Sequence, residues 1–182
     1  MNNVRPPAVA GHFYPAGADE LAAEVHGLLA AANTGKPARM PKALIVPHAG
    51  YVYSGPVAAT AYARLSALAG RIRRVVLLGP VHRVPVRGLA MPSITAFATP
   101  MGTIPLDTAS MTSLTSLPQV TVSDAAHAQE HSLEVHLPFL QTVLGDFQLV
   151  PLAVGDATAA EVAEVLGQVW GGEETLIVIS SD

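Results

Sequence analysis

The sequence predicts an α/β fold, a mostly parallel or mixed central sheet flanked by helices. Three short apolar runs, at residues 42–47, 74–78 and 175–179, have the continuous hydrophobicity of strands buried on both faces of a parallel sheet. Segments with helical spacing separate them. Pro and Gly, 15 of each, punctuate the chain and do not collect into a linker, so residues 1–182 read as one domain.

The elements follow in order. After a Pro-rich start, residues 19–32 have helical composition, with Leu21, Val25, Leu28 and Leu29 on one face and Asn33, Thr34 and Gly35 as the stop. The run at 42–47 ends in His48-Ala49-Gly50-Tyr51. Ser54 is placed to cap a helix over 55–68, with Pro56 tolerable in its first turn. The run at 74–78 ends in Gly79-Pro80-Val81-His82, and strand, helix and strand together form a βαβ unit of right-handed crossover. That unit sends His48 and His82 out of neighbouring strands. Residues 88–122 read as short extended pieces with a hairpin about Thr99-Pro100-Met101-Gly102-Thr103. From 127 to 144 helical spacing returns, with Leu133, Leu137, Leu140 and Leu144 as the buried stripe and Pro138 kinking or dividing the helix. Residues 148–154 are strand-like, 158–170 form an amphipathic helix, and the run at 175–179 leads into Ser180-Ser181-Asp182.

Composition narrows the function. Half of the 182 residues are hydrophobic and 13% are charged, enough to bury a substantial core. Mean hydropathy is +0.39, yet no apolar run reaches the roughly 18 residues that span a bilayer. The N-terminus has neither a secretory nor a transit pattern, which makes a cytoplasmic protein the expectation. A formal charge of -4 argues against sequence-independent nucleic-acid binding. The basic cluster Arg71-Ile72-Arg73-Arg74 reads as the solvated start of a strand. With no Cys in the chain, any metal must be held by imidazole and carboxylate.

Chemistry is expected where parallel strands end, since loops there vary without disturbing the core. His48, His82 and Asp182 each stand just past a buried run. Two imidazoles and a carboxylate at one edge match the ligand sets that hold iron(II) with open positions. A second cluster lies in His127-Ala128-Gln129-Glu130-His131-Ser132-Leu133-Glu134-Val135-His136. His127 and His131 share a helix face at four-residue spacing, but Ala128 stands where a zinc-protease helix needs Glu. Glu134 fits a first-turn acid and His136 fits ordinary surface. Glu130 and His131 lie nearest the sheet edge and are the better candidates for acid-base work.

Four blocks in register carry a resemblance: Arg5-Pro6-Pro7-Ala8-Val9-Ala10-Gly11-His12-Phe13-Tyr14-Pro15, Val46-Pro47-His48-Ala49-Gly50-Tyr51-Val52-Tyr53-Ser54-Gly55, Leu78-Gly79-Pro80-Val81-His82 and Glu130-His131-Ser132-Leu133-Glu134-Val135-His136-Leu137-Pro138-Phe139. The chain resembles the Memo family over nearly its whole length. The resemblance implies a fold like that of class III extradiol dioxygenases, whose iron(II) sits on two His and one acidic residue. It matches His48 and His82 to the two His ligands of the Memo pocket. The family's third ligand is usually a Cys near the C-terminus, and its Ser-Ser-Asp motif normally runs on into another pocket His. The sequence is therefore read as a Memo-like domain incomplete at its C-terminus, with apolar sheet surface that a homo-oligomer would partly hide.

Three functions follow. The first is a metal-dependent, dioxygenase-like oxidoreductase acting on a small molecule, with His48 and His82 as metal ligands and His131, Glu130 or Asp182 handling protons; iron(II) is the preferred metal, copper or zinc the alternatives. The second is a non-catalytic module that binds a phosphopeptide or protein partner, drawing charge from Arg83 and Arg87. The third is a metal hydrolase with Glu130 as base.

Overall fold

A computed structural model describes residues 3–32 and 40–182. The chain runs β1 (Val4–Arg5), α1 (Ala18–Ala31), β2 (Ala43–Val46), α2 (Tyr51–Tyr62), β3 (Arg74–Pro80), β4 (Leu89–Met91), β5 (Ala96–Thr99), β6 (Gly102–Pro105), α3 (Thr108–Leu114), β7 (Val120–Val122), α4 (Asp124–Ala128), α5 (Leu137–Leu144), β8 (Gln148–Val154), α6 (Ala159–Val169) and β9 (Thr175–Ser180). The expected stop at Asn33, Thr34 and Gly35 lies outside the described residues.

The main sheet has the strand order β2-β9-β3-β8-β4-β7. Strands β2, β9, β3 and β8 are parallel, β4 runs against β8, and β7 is parallel to β4. The sheet is thus mixed. A smaller sheet, β1-β5-β6, contains the antiparallel hairpin expected near Thr99. Strands β3 and β8 occupy the centre and are buried along most of their length, as continuous apolar runs should be.

Strand β2 departs from that pattern. It is an edge strand in which Leu44 and Val46 are buried against the α2 side while Ile45 is 74% exposed. An apolar run of four residues has the same composition at an edge as at a centre, so the sequence alone misassigned it. The expectation of neighbouring strands also needs correction: β9 lies between β2 and β3, so His48 and His82 do not leave adjacent strands.

The helix after β2 begins earlier than expected. Gly50 is its N-cap, and Ser54 lies inside the helix with its hydroxyl donating to the Ala49 carbonyl at 2.8 Å. Residues 63–68 continue it as a 3-10 turn. The Thr158 hydroxyl caps α6, and the side chain of Glu161 returns the bond to the Thr158 main-chain N–H.

The expected single helix over 127–144 is broken. Helix α4 ends at Ala128, a 3-10 turn spans Glu134–His136, and Pro138 sits in the first turn of α5, where its missing N–H costs nothing. The cause lies in the polar side chains between them, which turn inward and bond to distant main chain in place of a helical ladder. Glu134 is the clearest case. Its buried carboxylate takes the Arg5 guanidinium at 2.6 Å, the N–H groups of Ala8 at 2.8 Å and Val9 at 3.0 Å, and the Tyr14 hydroxyl. It therefore anchors the N-terminal segment and is no surface acid. His136 is likewise buried, with Nδ1 2.8 Å from the Tyr62 hydroxyl. The leucine stripe at Leu133, Leu137, Leu140 and Leu144 is buried as read.

No described helix is long and apolar enough to cross a membrane.

Candidate metal centre

Three loops meet at the carboxyl edge of the parallel strands. His48 follows β2, His82 follows β3, and His131 comes from the irregular stretch between α4 and α5. Ring centroids lie 5.1 Å apart for His48 and His82, 5.5 Å for His48 and His131, and 4.4 Å for His82 and His131. One ring nitrogen from each falls within 4.8 Å of the other two. Metal–imidazole bonds of about 2.1 Å place neighbouring ligand nitrogens about 3 Å apart, so modest inward rotations would bring the rings onto one ion.

Each ring is held from behind. Glu130 accepts the main-chain N–H of His82 at 2.7 Å and stands 2.8 Å from its Nδ1. The same carboxylate accepts the Ser132 N–H at 3.0 Å and lies 3.4 Å from Nδ1 of His131. Burial pushes the Glu130 carboxyl upward, but the bonds from Ser132 and His82 outweigh it and hold the carboxyl below its usual range. An ionised carboxylate only accepts, so His82 carries its proton on Nδ1 and leaves Nε2 free as a ligand. His131 is also packed by Phe13, with ring centroids 4.7 Å apart.

His48 is nearly buried. Its Nδ1 lies 2.9 Å from the Ser180 hydroxyl and its Nε2 lies 3.2 Å from Oδ2 of Asp182. The other oxygen of Asp182 accepts the His48 main-chain N–H at 3.2 Å. Burial lowers the pKa of His48, a change Asp182 partly reverses. Burial also lowers that of His131, and the neighbouring imidazoles add to the effect against the pull of Glu130. Three ring nitrogens drawn together beside the Asp182 carboxylate form an arrangement that a cation would stabilise.

A cavity of about 380 Å³ opens beside His48 and Asp182, walled by Leu78, Pro80, Val154 and Ile179. Its walls are chiefly apolar.

The chain has counterparts among known sequences. The family model described as Memo-like protein matches residues 5–182. The chain belongs to the Memo family. Among its relatives are MEMO1 family proteins of Aquifex aeolicus, 39% identical over 98% of this chain and 66% of the relative, and of Ignicoccus hospitalis, 41% identical over 91% of this chain and 61% of the relative. A third, from Methanopyrus kandleri, is 40% identical over 98% of this chain and 68% of the relative. This Memo-family chain thus spans about two thirds of the length of the curated relatives it matches.

Of the residues singled out from sequence, the fold brings His48, His82, His131, Glu130 and Asp182 to one place. His127 is not among them. Its ring is buried elsewhere, with Nε2 2.9 Å from the Ala90 carbonyl, and the broken helix removes the face it was expected to share with His131. What the sequence hid is that His131 stands with the two strand-end imidazoles as a third candidate ligand. Helical spacing across 127–144 gave it the wrong direction. Ser180 and Ser132 also escaped notice, since neither lies in a pattern that spacing can read.

Proposed function

We propose that the chain carries the metal centre of a Memo-family, dioxygenase-like oxidoreductase that acts on a small organic molecule. The observation that supports this most is the convergence of one nitrogen each from His48, His82 and His131 within 4.8 Å. An all-imidazole set suits iron, copper and zinc alike, and the adjoining Asp182 carboxylate adds the hard oxygen donor that favours iron(II). Bound there, iron(II) supplies one-electron chemistry toward dioxygen.

The residues divide the remaining work. Glu130 is buried and already engaged by His82 and Ser132, which leaves Asp182, 64% exposed, as the better proton acceptor. Leu78, Val154 and Ile179 exclude water from one side of the bound molecule. The engagement of Glu130 also weakens the hydrolase reading, which needs it as base. A phosphate-recognising cleft has little support, since the Arg87 guanidinium is occupied by Glu161 at 2.8 Å and by the Asp156 carbonyl.

Anaerobic reconstitution with iron(II), metal analysis and then oxygen-uptake measurement test the proposal. The reading requires close to one iron per chain and oxygen consumption that disappears in His48→Ala. Unchanged iron content and oxygen use in that variant would end it.

A further inference from the structure

The hydrogen bonds behind His48 and His82 join into one chain. The Ser180 hydroxyl donates to the Ser132 carbonyl at 2.7 Å, while Nδ1 of His48 lies 2.9 Å from Oγ of Ser180. A serine hydroxyl has a single proton, and here it is spent on Ser132. Nδ1 of His48 is therefore the donor to this buried oxygen. Asp182, 3.2 Å from Nε2, draws the proton the other way, but it is solvent-exposed and free to turn to water, so the buried bond sets the tautomer and Nε2 keeps its lone pair. On the other side of Ser132, its N–H donates to Glu130, which accepts from Nδ1 of His82. The path runs from His48 through Ser180, the Ser132 main chain and Glu130 to His82. Ser180, Ser132 and Glu130 are all buried, so water is poorly placed to substitute for any of them.

The packing is built to allow it. A Cβ at Gly79 would lie 2.8 Å from the Ser132 hydroxyl oxygen and 3.1 Å from Cβ of Ser180, so glycine lets β3 approach both serines. The Ser132 hydroxyl in turn donates to the Pro80 carbonyl at 2.8 Å, pinning the strand end that leads to His82.

We propose that Ser180 is a positioning residue that fixes His48 as the Nδ1–H tautomer and, through Ser132 and Glu130, locks both strand-end imidazoles with Nε2 toward the shared site. The role in metal binding rests on the metal-centre reading above; the tautomer does not. Outer groups of this kind typically change metal affinity 10- to 100-fold when removed.

Two measurements on the full chain decide it. Imidazole nitrogen NMR of the metal-free protein at about pH 8, where histidine is neutral, reports which nitrogen of His48 bears the proton. Cobalt(II) titration, followed by visible absorbance, reports affinity. The wild type should show Nδ1–H on His48, and Ser180→Ala should populate Nε2–H and weaken cobalt about 10- to 100-fold, with Ser180→Thr restoring both. Nε2–H on His48 in the wild type overturns the proposal outright, and so does a Ser180→Ala protein with unchanged tautomer and affinity. A wild type that shows Nδ1–H but takes up no cobalt refutes the metal reading alone, and a tautomer shift in Ser180→Ala then still supports the orienting role.

Discussion

Two histidines far from solvent make the fold acid-labile in a way that can be calculated. His127 and His136 are buried, and burial lowers their pKa values to about 4 and about 3. Each keeps one ring nitrogen without a hydrogen-bond partner, Nδ1 of His127 and Nε2 of His136, so neither ring has a ready acceptor for a second proton. In the unfolded chain both would titrate near pH 6.5. Between about pH 6.5 and 4 the unfolded state therefore binds two more protons than the folded state, and stability rises with pH. It is undiminished by these groups above about pH 6.5 and is lost as pH falls toward the folded-state values. Each group contributes a slope of about 1.4 kcal/mol per pH unit, roughly 3 kcal/mol per unit for the pair, against a total stability of order 5–15 kcal/mol. Urea unfolding at a series of pH values, with chelator present, measures this slope. Replacing either ring by Gln costs stability at every pH, so the slope and not the absolute value is the readout. His136→Gln and His127→Gln should each flatten the curve by about 1.4 kcal/mol per unit below pH 6. Unaltered slopes in both variants, or stability that rises as pH falls from 6 to 5, would show that these two rings are not held neutral by burial.

Other expectations are simpler. Glu134→Ala strands the buried Arg5 guanidinium and the N–H groups of Ala8 and Val9, and should cost about 3–5 kcal/mol in denaturant unfolding; a loss under 1 kcal/mol would contradict the anchoring role. Gly79→Ala drives a methyl to 2.9 Å from Cδ2 of Leu133 as well as against Ser132, and should destabilise by about 1–3 kcal/mol while weakening metal uptake. Unchanged melting and metal content would count against the close approach described. Ile45→Lys, at an exposed edge position, should leave stability within about 0.5 kcal/mol and slow aggregation, as light scattering would show.

The parts of the fold that were legible share a cause. Strands β3, β8 and β9 and helix α6 carry patterns that burial on two faces, or an amphipathic face with a capping box, writes directly into local sequence. Helix α3 was missed because its Thr and Ser residues give weak helical propensity; its one signal was Asp107, whose carboxylate caps it by accepting the Ser110 N–H at 3.0 Å. The stretch 129–136 was misread for a deeper reason. Its helical spacing of apolar residues is real, but Glu130, Ser132 and Glu134 find main-chain partners more than a hundred residues away or across the sheet, and those bonds outcompete the local ladder. The same misreading concealed the direction of His131. His48, His82 and Asp182 were found because each closes a clear strand, and position at a strand end is visible without knowing which strands are neighbours.

Whether three imidazoles share one ion is best settled by anomalous diffraction at the iron edge from crystals grown anaerobically with iron(II). One peak is expected, about 2.1 Å from a nitrogen of each of His48, His82 and His131. Iron bound elsewhere, or a triad left empty under saturating metal, would contradict it.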